Sequence, residues 1–282
     1  MNITDKRIDN GTPFDWGRTS EDYAKYRDIY PAIFYKKIAG IGLCLKGQSV
    51  LDVGTGTGVL PRNMLSYGAK WTGTDISEEQ IAMAKLLSEG TDIEYFCADA
   101  KDISFPNDTF DVVTACQCFL YFDHEKLMPK LFEVLKSNGK ILVLYMAWLP
   151  FEDEIAGESE KLILKYNPDW SGKGETMRPI EIPKIYGERF ELSFSEEYKL
   201  PVHFTRESWN GRVKACRAIG ASLSKAEIAA FEKEHLDMLT KRFPEEFDVL
   251  HYAATAVLRK TDIPDFKERS AQLSSGAKEK QL

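Results

Sequence analysis

Three acidic residues, Asp52, Asp75 and Asp99, each close a short apolar run, and the first run opens at once into glycines at positions 54, 56 and 58. The runs are Val50-Leu51-Asp52-Val53, Trp71-Thr72-Gly73-Thr74-Asp75 and Ile93-Glu94-Tyr95-Phe96-Cys97-Ala98-Asp99. Glycines so spaced let a chain turn sharply and let a ligand approach the main chain. Asp75 follows Gly54 by 21 residues, a separation at which a carboxylate reaches ribose hydroxyls. The chemistry indicated is capture of a ligand with hydroxyls, an amino group and a positive charge. A dinucleotide loop needs its third glycine at position 59, where Val59 stands, so the spacing disfavours a nicotinamide oxidoreductase.

These residues need elements to position them. Apolar runs near 50, 71, 93, 110 and 140 alternate with helical stretches at 58–66, 77–88 and 125–136, Ser77 capping the second. This is the pattern of an α/β, doubly wound, parallel sheet, in which strand C-termini line the ligand crevice. Upstream, Ser20-Glu21-Asp22 reads as the start of a helix bearing Tyr23, Tyr26 and Tyr30, which Pro31 interrupts before a second helix at 32–45. Beyond 144 the pattern changes to a helix about 152–166, a Gly-rich loop at 171–175 and strand-like pieces at 189–199. Helices at 208–219 and 224–242 and a terminal strand at 247–258 follow.

The run 50–144, with Phe110-Asp111-Val112-Val113 and Phe132-Glu133-Val134-Leu135-Lys136-Ser137-Asn138-Gly139-Lys140, resembles the small-molecule branch of class I S-adenosylmethionine (SAM)-dependent methyltransferases. Tyr23-Ala24-Lys25-Tyr26-Arg27-Asp28-Ile29-Tyr30-Pro31 is similar to the entry segment of trans-aconitate-type members, within the type 11-like methyltransferases. The resemblance covers roughly residues 14–145. It implies a Rossmann-like, mostly parallel seven-stranded sheet with an N-terminal helical lid and an inserted cap. On that reading residues 1–145 hold the lid and SAM-binding core, 146–215 a cap or substrate insertion, 216–260 the rest of the core and 261–282 a flexible tail. The chain departs from the family at Ser137-Asn138-Gly139, where Pro-Gly-Gly is usual, and at Leu120-Tyr121, where His-Trp is common.

The resemblance also implies site roles. Gly54 and Gly56 approach the methionyl part of the donor, Asp75 takes the ribose, Asp99 and the Ala100 amide meet the adenine edge, and Ile76 packs on an adenine face. Asp52 and Gln117 complete the cofactor set, with Tyr23 near the sulfonium and Arg27 near the donor carboxylate. Phe119 and Tyr121 are expected to line an aromatic acceptor pocket, Tyr121 across from the methyl group, and His124 is a candidate general base. Arg178, His203, Arg206 and Arg212 are candidates for an acceptor carboxylate. Cys116 and Cys118 raise a thiophilic acceptor such as an arsenical, but no metal site is expected. The product would be S-adenosylhomocysteine (SAH).

Composition sets the surroundings. A formal net charge of −7 argues against a nucleic-acid partner. The Asn/Asp-Pro-Pro-aromatic signature of amino-methylating nucleic-acid enzymes is replaced by Gln117-Cys118-Phe119-Leu120. No run approaches the ~20 apolar residues of a membrane helix. Five cysteines without a C-x-x-C pair fit a reducing compartment, and with a start that has no leader character they place the expected location in the cytoplasm. The partner expected is a small molecule, the state monomer or homodimer. A competing reading is a SAM-binding sensor or partner subunit without acceptor chemistry.

Overall fold

The computed structural model describes residues 3–261. Its helices are α1 (Ser20–Tyr26), α2 (Ala32–Gly40), α3 (Val59–Met64), α4 (Glu78–Leu87), α5 (His124–Val134), α6 (Glu154–Tyr166), α7 (Arg206–Lys214) and α8 (Lys225–Arg242). The strands are β1 (Ser49–Val53), β2 (Lys70–Asp75), β3 (Glu94–Cys97), β4 (Phe110–Cys116), β5 (Leu135–Trp148), β6 (Phe190–Thr205) and β7 (Glu246–Lys260). They form one seven-stranded sheet in the order β3-β2-β1-β4-β5-β7-β6. The first five are parallel, and β7 runs antiparallel to both β5 and β6.

The continuous apolar character of β1 and β4 follows from burial on both faces, as a parallel sheet demands. Val50 and Val112 belong to one side of the core, Leu51 and Val113 to the other. Strand order reverses between β1 and β4, so their C-terminal ends diverge into the crevice where such sheets bind ligands. Asp52 lies there beside Thr114 in the β1–β4 register.

Several boundaries differ from the sequence reading. The segment 190–205 is not part of a cap: it is β6, hydrogen-bonded along its length to β7, and β5 runs through to Trp148. The additions to the sheet are therefore the 149–189 excursion and the α7–α8 pair, rather than a cap over 146–215. The strand-like pieces expected at 189–199 are the first part of this strand, which continues to Thr205 with burial alternating through 200–204; the difference is its place in the sheet, not its conformation. Helix α1 stops at Tyr26 and leaves Tyr30 outside it, while α2 stops at Gly40, before a left-handed Gly42. Strand β3 ends at Cys97, and Asp99 caps the following 3-10 turn. Of the expected tail, 262–282 lie outside the described residues.

Candidate active site

The turn after β1 is built on backbone that only glycine adopts freely. Gly54, Gly56 and Gly58 have φ of +68°, +56° and +76°. A Cβ on Gly54 would lie 2.7 Å from Cys118 Sγ. Asp75, at the end of β2, holds the turn in place: its Oδ2 accepts the Gly56 amide at 2.8 Å and its Oδ1 accepts the Ser77 amide at 3.0 Å. Each oxygen retains a lone pair for a ligand hydroxyl. Burial pushes the Asp75 carboxyl up, and these amides oppose the shift.

A cavity of about 270 Å³ opens beside this turn. Gly54, Asp75, Ile76, Asp99 and Ala100 line it, together with Tyr121. Five expected cofactor residues thus share one space, with Trp16, which the sequence reading missed, on its wall. Asp99 caps its turn through the Lys101 amide at 3.2 Å and pairs with Lys101 Nζ at 2.5 Å. A narrower recess holds Tyr23, Arg27, Asp52, Gly54 and Gly56. Asp52 is buried there and accepts the Thr114 hydroxyl; burial raises its carboxyl to about 7, against that hydrogen bond.

A second cavity of about 270 Å³ adjoins, sharing Trp16 and Tyr121 with the first and Tyr23 and Arg27 with the recess. Tyr121 therefore stands at the junction. Its hydroxyl accepts from Arg217 Nη1 at 2.5 Å, and Arg217 is held by buried Asp9 through its Nε at 2.7 Å. The Tyr121 ring lies against Phe14 and Trp16, with centroids at 5.9 and 6.0 Å. Arg217 also escaped the sequence reading; a lone charge in Cys216-Arg217-Ala218-Ile219-Gly220-Ala221 was its one trace.

Other expectations fare differently. His124 does not face the junction. Its Nδ1 lies 3.1 Å from the Tyr186 hydroxyl and its ring packs on Phe119, at the edge of a separate, larger cavity of about 440 Å³. Burial lowers its pKa. Phe119 is core and borders that same larger space. Gln117 adopts φ +68°, donates to the Met146 carbonyl and opens on the second and larger cavities, not on the first cavity or the recess. The turn at Gln117 also separates the two cysteines: Cys116 faces the recess and Cys118 the first cavity. No cluster of three metal-ligating side chains occurs among the described residues.

Arg178 and Arg212 line the second cavity, whereas His203 and Arg206 line none of the cavities described. His203 is exposed on edge strand β6 beside Asp248, and Arg206 binds the Phe243 carbonyl and Glu245 at the start of α7. Their positions follow from β6 belonging to the sheet edge rather than to a cap. Tyr26 faces away too, its ring against Gly211 and its hydroxyl on Glu207, so only Tyr23 of that helix reaches the site.

A strand order of this kind, a crevice at the β1/β4 reversal and a glycine turn held by the β2 acid define a ligand site at the carboxyl end of an open α/β sheet. Residues 51–143 match the family model of a methyltransferase domain. A demethylmenaquinone methyltransferase of Thermus thermophilus is 35% identical over 102 residues, 34% of this chain and 46% of that protein. A ubiquinone biosynthesis O-methyltransferase of Pseudomonas fluorescens is 34% identical over 131 residues, 45% of this chain and 55% of that protein. The chain spans about half the length of these curated relatives. A solved candidate type II methyltransferase of Anaeromyxobacter dehalogenans shares the fold with a TM-score of 0.54 at 16% identity, over 84% of this chain and 98% of that one. No described helix is long and apolar enough to cross a membrane.

Proposed function

We propose that this protein is a SAM-dependent methyltransferase acting on a small molecule. The observation that carries the reading is the junction at Tyr121, where a cavity with ribose- and adenine-type partners meets a second, aromatic and cationic cavity. The matched methyltransferase domain and the relatives' activities support it.

The residues fit the donor. Asp75 has free lone pairs for the ribose hydroxyls, Ile76 and Ala100 offer an apolar slot for adenine with Asp99 at its edge, and Gly54 and Gly56 themselves place no side chain against the methionyl part. In the recess, Asp52 suits a cationic amino group and Arg27 a carboxylate, with the Tyr23 ring beside both. SAM when bound supplies an electrophilic methyl on sulfonium. The protein's part is to align an acceptor with it and keep water out, tasks that need no acid-base pair. Tyr121, fixed by Arg217, walls the contact point. The placement of His124 supports no general-base role for it.

Calorimetric titration with SAH, with NAD as control, tests the donor. Micromolar SAH binding without NAD binding is the expected result; NAD binding alone overturns the proposal.

A further inference from the structure

We infer that the acceptor carries an anionic group, a carboxylate or a phosphate, and that Arg212 is the residue that receives it. The inference rests on the donor reading above.

The second cavity is lined by four arginines, Arg27, Arg178, Arg212 and Arg217, in a protein whose formal net charge is −7. Two of them are neutralised by carboxylates: Arg217 by Asp9 and Arg178 by Glu175. Arg27 and Arg212 have no carboxylate partner among the described residues. Arg27 donates to the Tyr23 hydroxyl at 3.3 Å and lies over its ring. Arg212 is 4% exposed, and its Nε and Nη1 have no hydrogen-bond partner among the described residues. Its guanidinium sits over the Trp148 ring at 5.2 Å, a contact that supports the plane but satisfies no N–H.

A buried guanidinium with two idle donors is costly unless an anion completes it. The donor has one carboxylate to offer, and Arg27, which lines both the recess and the cavity, is placed for it. Arg212 lines the cavity and not the recess, so a second anion, borne by the acceptor, is what its donors await. The edge that binds a carboxylate or phosphate by two parallel bonds is Nε with Nη2, so the idle Nε is one prong of that edge and Nη1 is a further donor on the neighbouring edge. Trp148, Trp170 and Tyr145 around it favour an acceptor whose body is apolar or planar. Burial and the nearby positive charge of Arg27 lower the Arg212 pKa to about 9, the expected signature of a cation held without its counter-ion.

The test uses the whole protein, first saturated with SAH and then alone, followed by intrinsic tryptophan fluorescence, to which Trp16, Trp148 and Trp170 contribute from the cavity wall. Probes are inorganic phosphate, benzoate, phenyl phosphate and the neutral benzamide. At least one anion should bind saturably and about tenfold or more tighter than benzamide. The preference between benzoate and phenyl phosphate identifies the group. Arg212→Gln should abolish the anion preference while SAH affinity, read by calorimetry, stays within about threefold. Arg212→Lys, which keeps the charge without the two-pronged edge, should fold if the glutamine variant does not, and should bind the anion about fivefold or more weakly than wild type. Equal binding of benzamide and the anions, or no saturable response to any anion, overturns the inference. So does a loss of SAH affinity in Arg212→Gln as large as the loss for the anion. Anion binding without SAH binding would instead remove the donor reading and leave Arg212 as an anion site.

Discussion

Arg217 donates to the Tyr121 hydroxyl from one nitrogen and to the Asp9 carboxylate from another, so a residue from the turn after α7 joins the N-terminal segment to the wall between the two cavities. A tyrosine at such a junction is held by an ion pair that lies wholly in segments outside the matched domain. Removing the hydroxyl in Tyr121→Phe keeps the ring and frees one Arg217 donor. SAH affinity is expected to stay within about threefold while acceptor turnover falls about tenfold or more. Parallel measurement of calorimetric affinity and turnover decides it, and equal losses in both would place the hydroxyl in the donor site.

Asp9 and Arg217 are both buried, and Asp9 also accepts from the Ser171 amide and hydroxyl. Burial alone would raise the Asp9 carboxyl, but Arg217 and Ser171 hold it below the ordinary value. Asp9→Ala strands a buried guanidinium and should destabilise the protein by about 3–5 kcal/mol in urea unfolding. Asp5→Ala, at the exposed Asp5–Arg7 pair, should cost less than about 1 kcal/mol.

Asp75 clamps the glycine turn and, in the proposed function, also takes the donor ribose. Asp75→Ala should weaken SAH binding by about 1–3 kcal/mol, because the ribose partner and the clamp on the Gly56 amide are lost at once. Unchanged affinity would remove Asp75 from the donor site.

Asp52 gives a pH dependence with a definite sign. Its folded pKa, about 7, lies above the ordinary carboxyl value of 3.8, so it contributes stability that is full below about pH 4 and is lost as pH rises through 7. Urea midpoints of the free protein from pH 5 to 8 should fall more steeply for wild type than for Asp52→Asn. A donor amino group favours the ionised carboxylate, so SAH binding near pH 7 should release protons and strengthen toward pH 8. Calorimetry in buffers of different ionisation enthalpy reads the release; no release would separate Asp52 from the donor's positive charge.

Much of the lining of the first cavity and of the recess was legible in the chain because it is local. The Asp52–Gly58 turn, Asp75 with Ile76, and Asp99 with Ala100 each sit at a strand end whose apolar run is visible, and a parallel sheet places strand ends together. The lining of the second cavity was legible only in fragments. Tyr121, Arg178 and Arg212 were in view, but His203 and Arg206 were grouped with them because the strand-like pieces of β6 were read as cap, and local alternation does not say which sheet a strand joins. Trp16 and Arg217 come from segments separated by about two hundred residues, and nothing in either stretch announces the other.

What the sequence determined by itself was the α/β class, the glycine turn and the acids around it, since these depend on short-range periodicity and on backbone conformations that particular residues permit. Only the tertiary structure decided which arginines have counter-ions and which do not. Pairing of buried charge is a matter of distances across the fold, and Arg212 differs from Arg217 in the partner that packing brings to it, not in its chemistry.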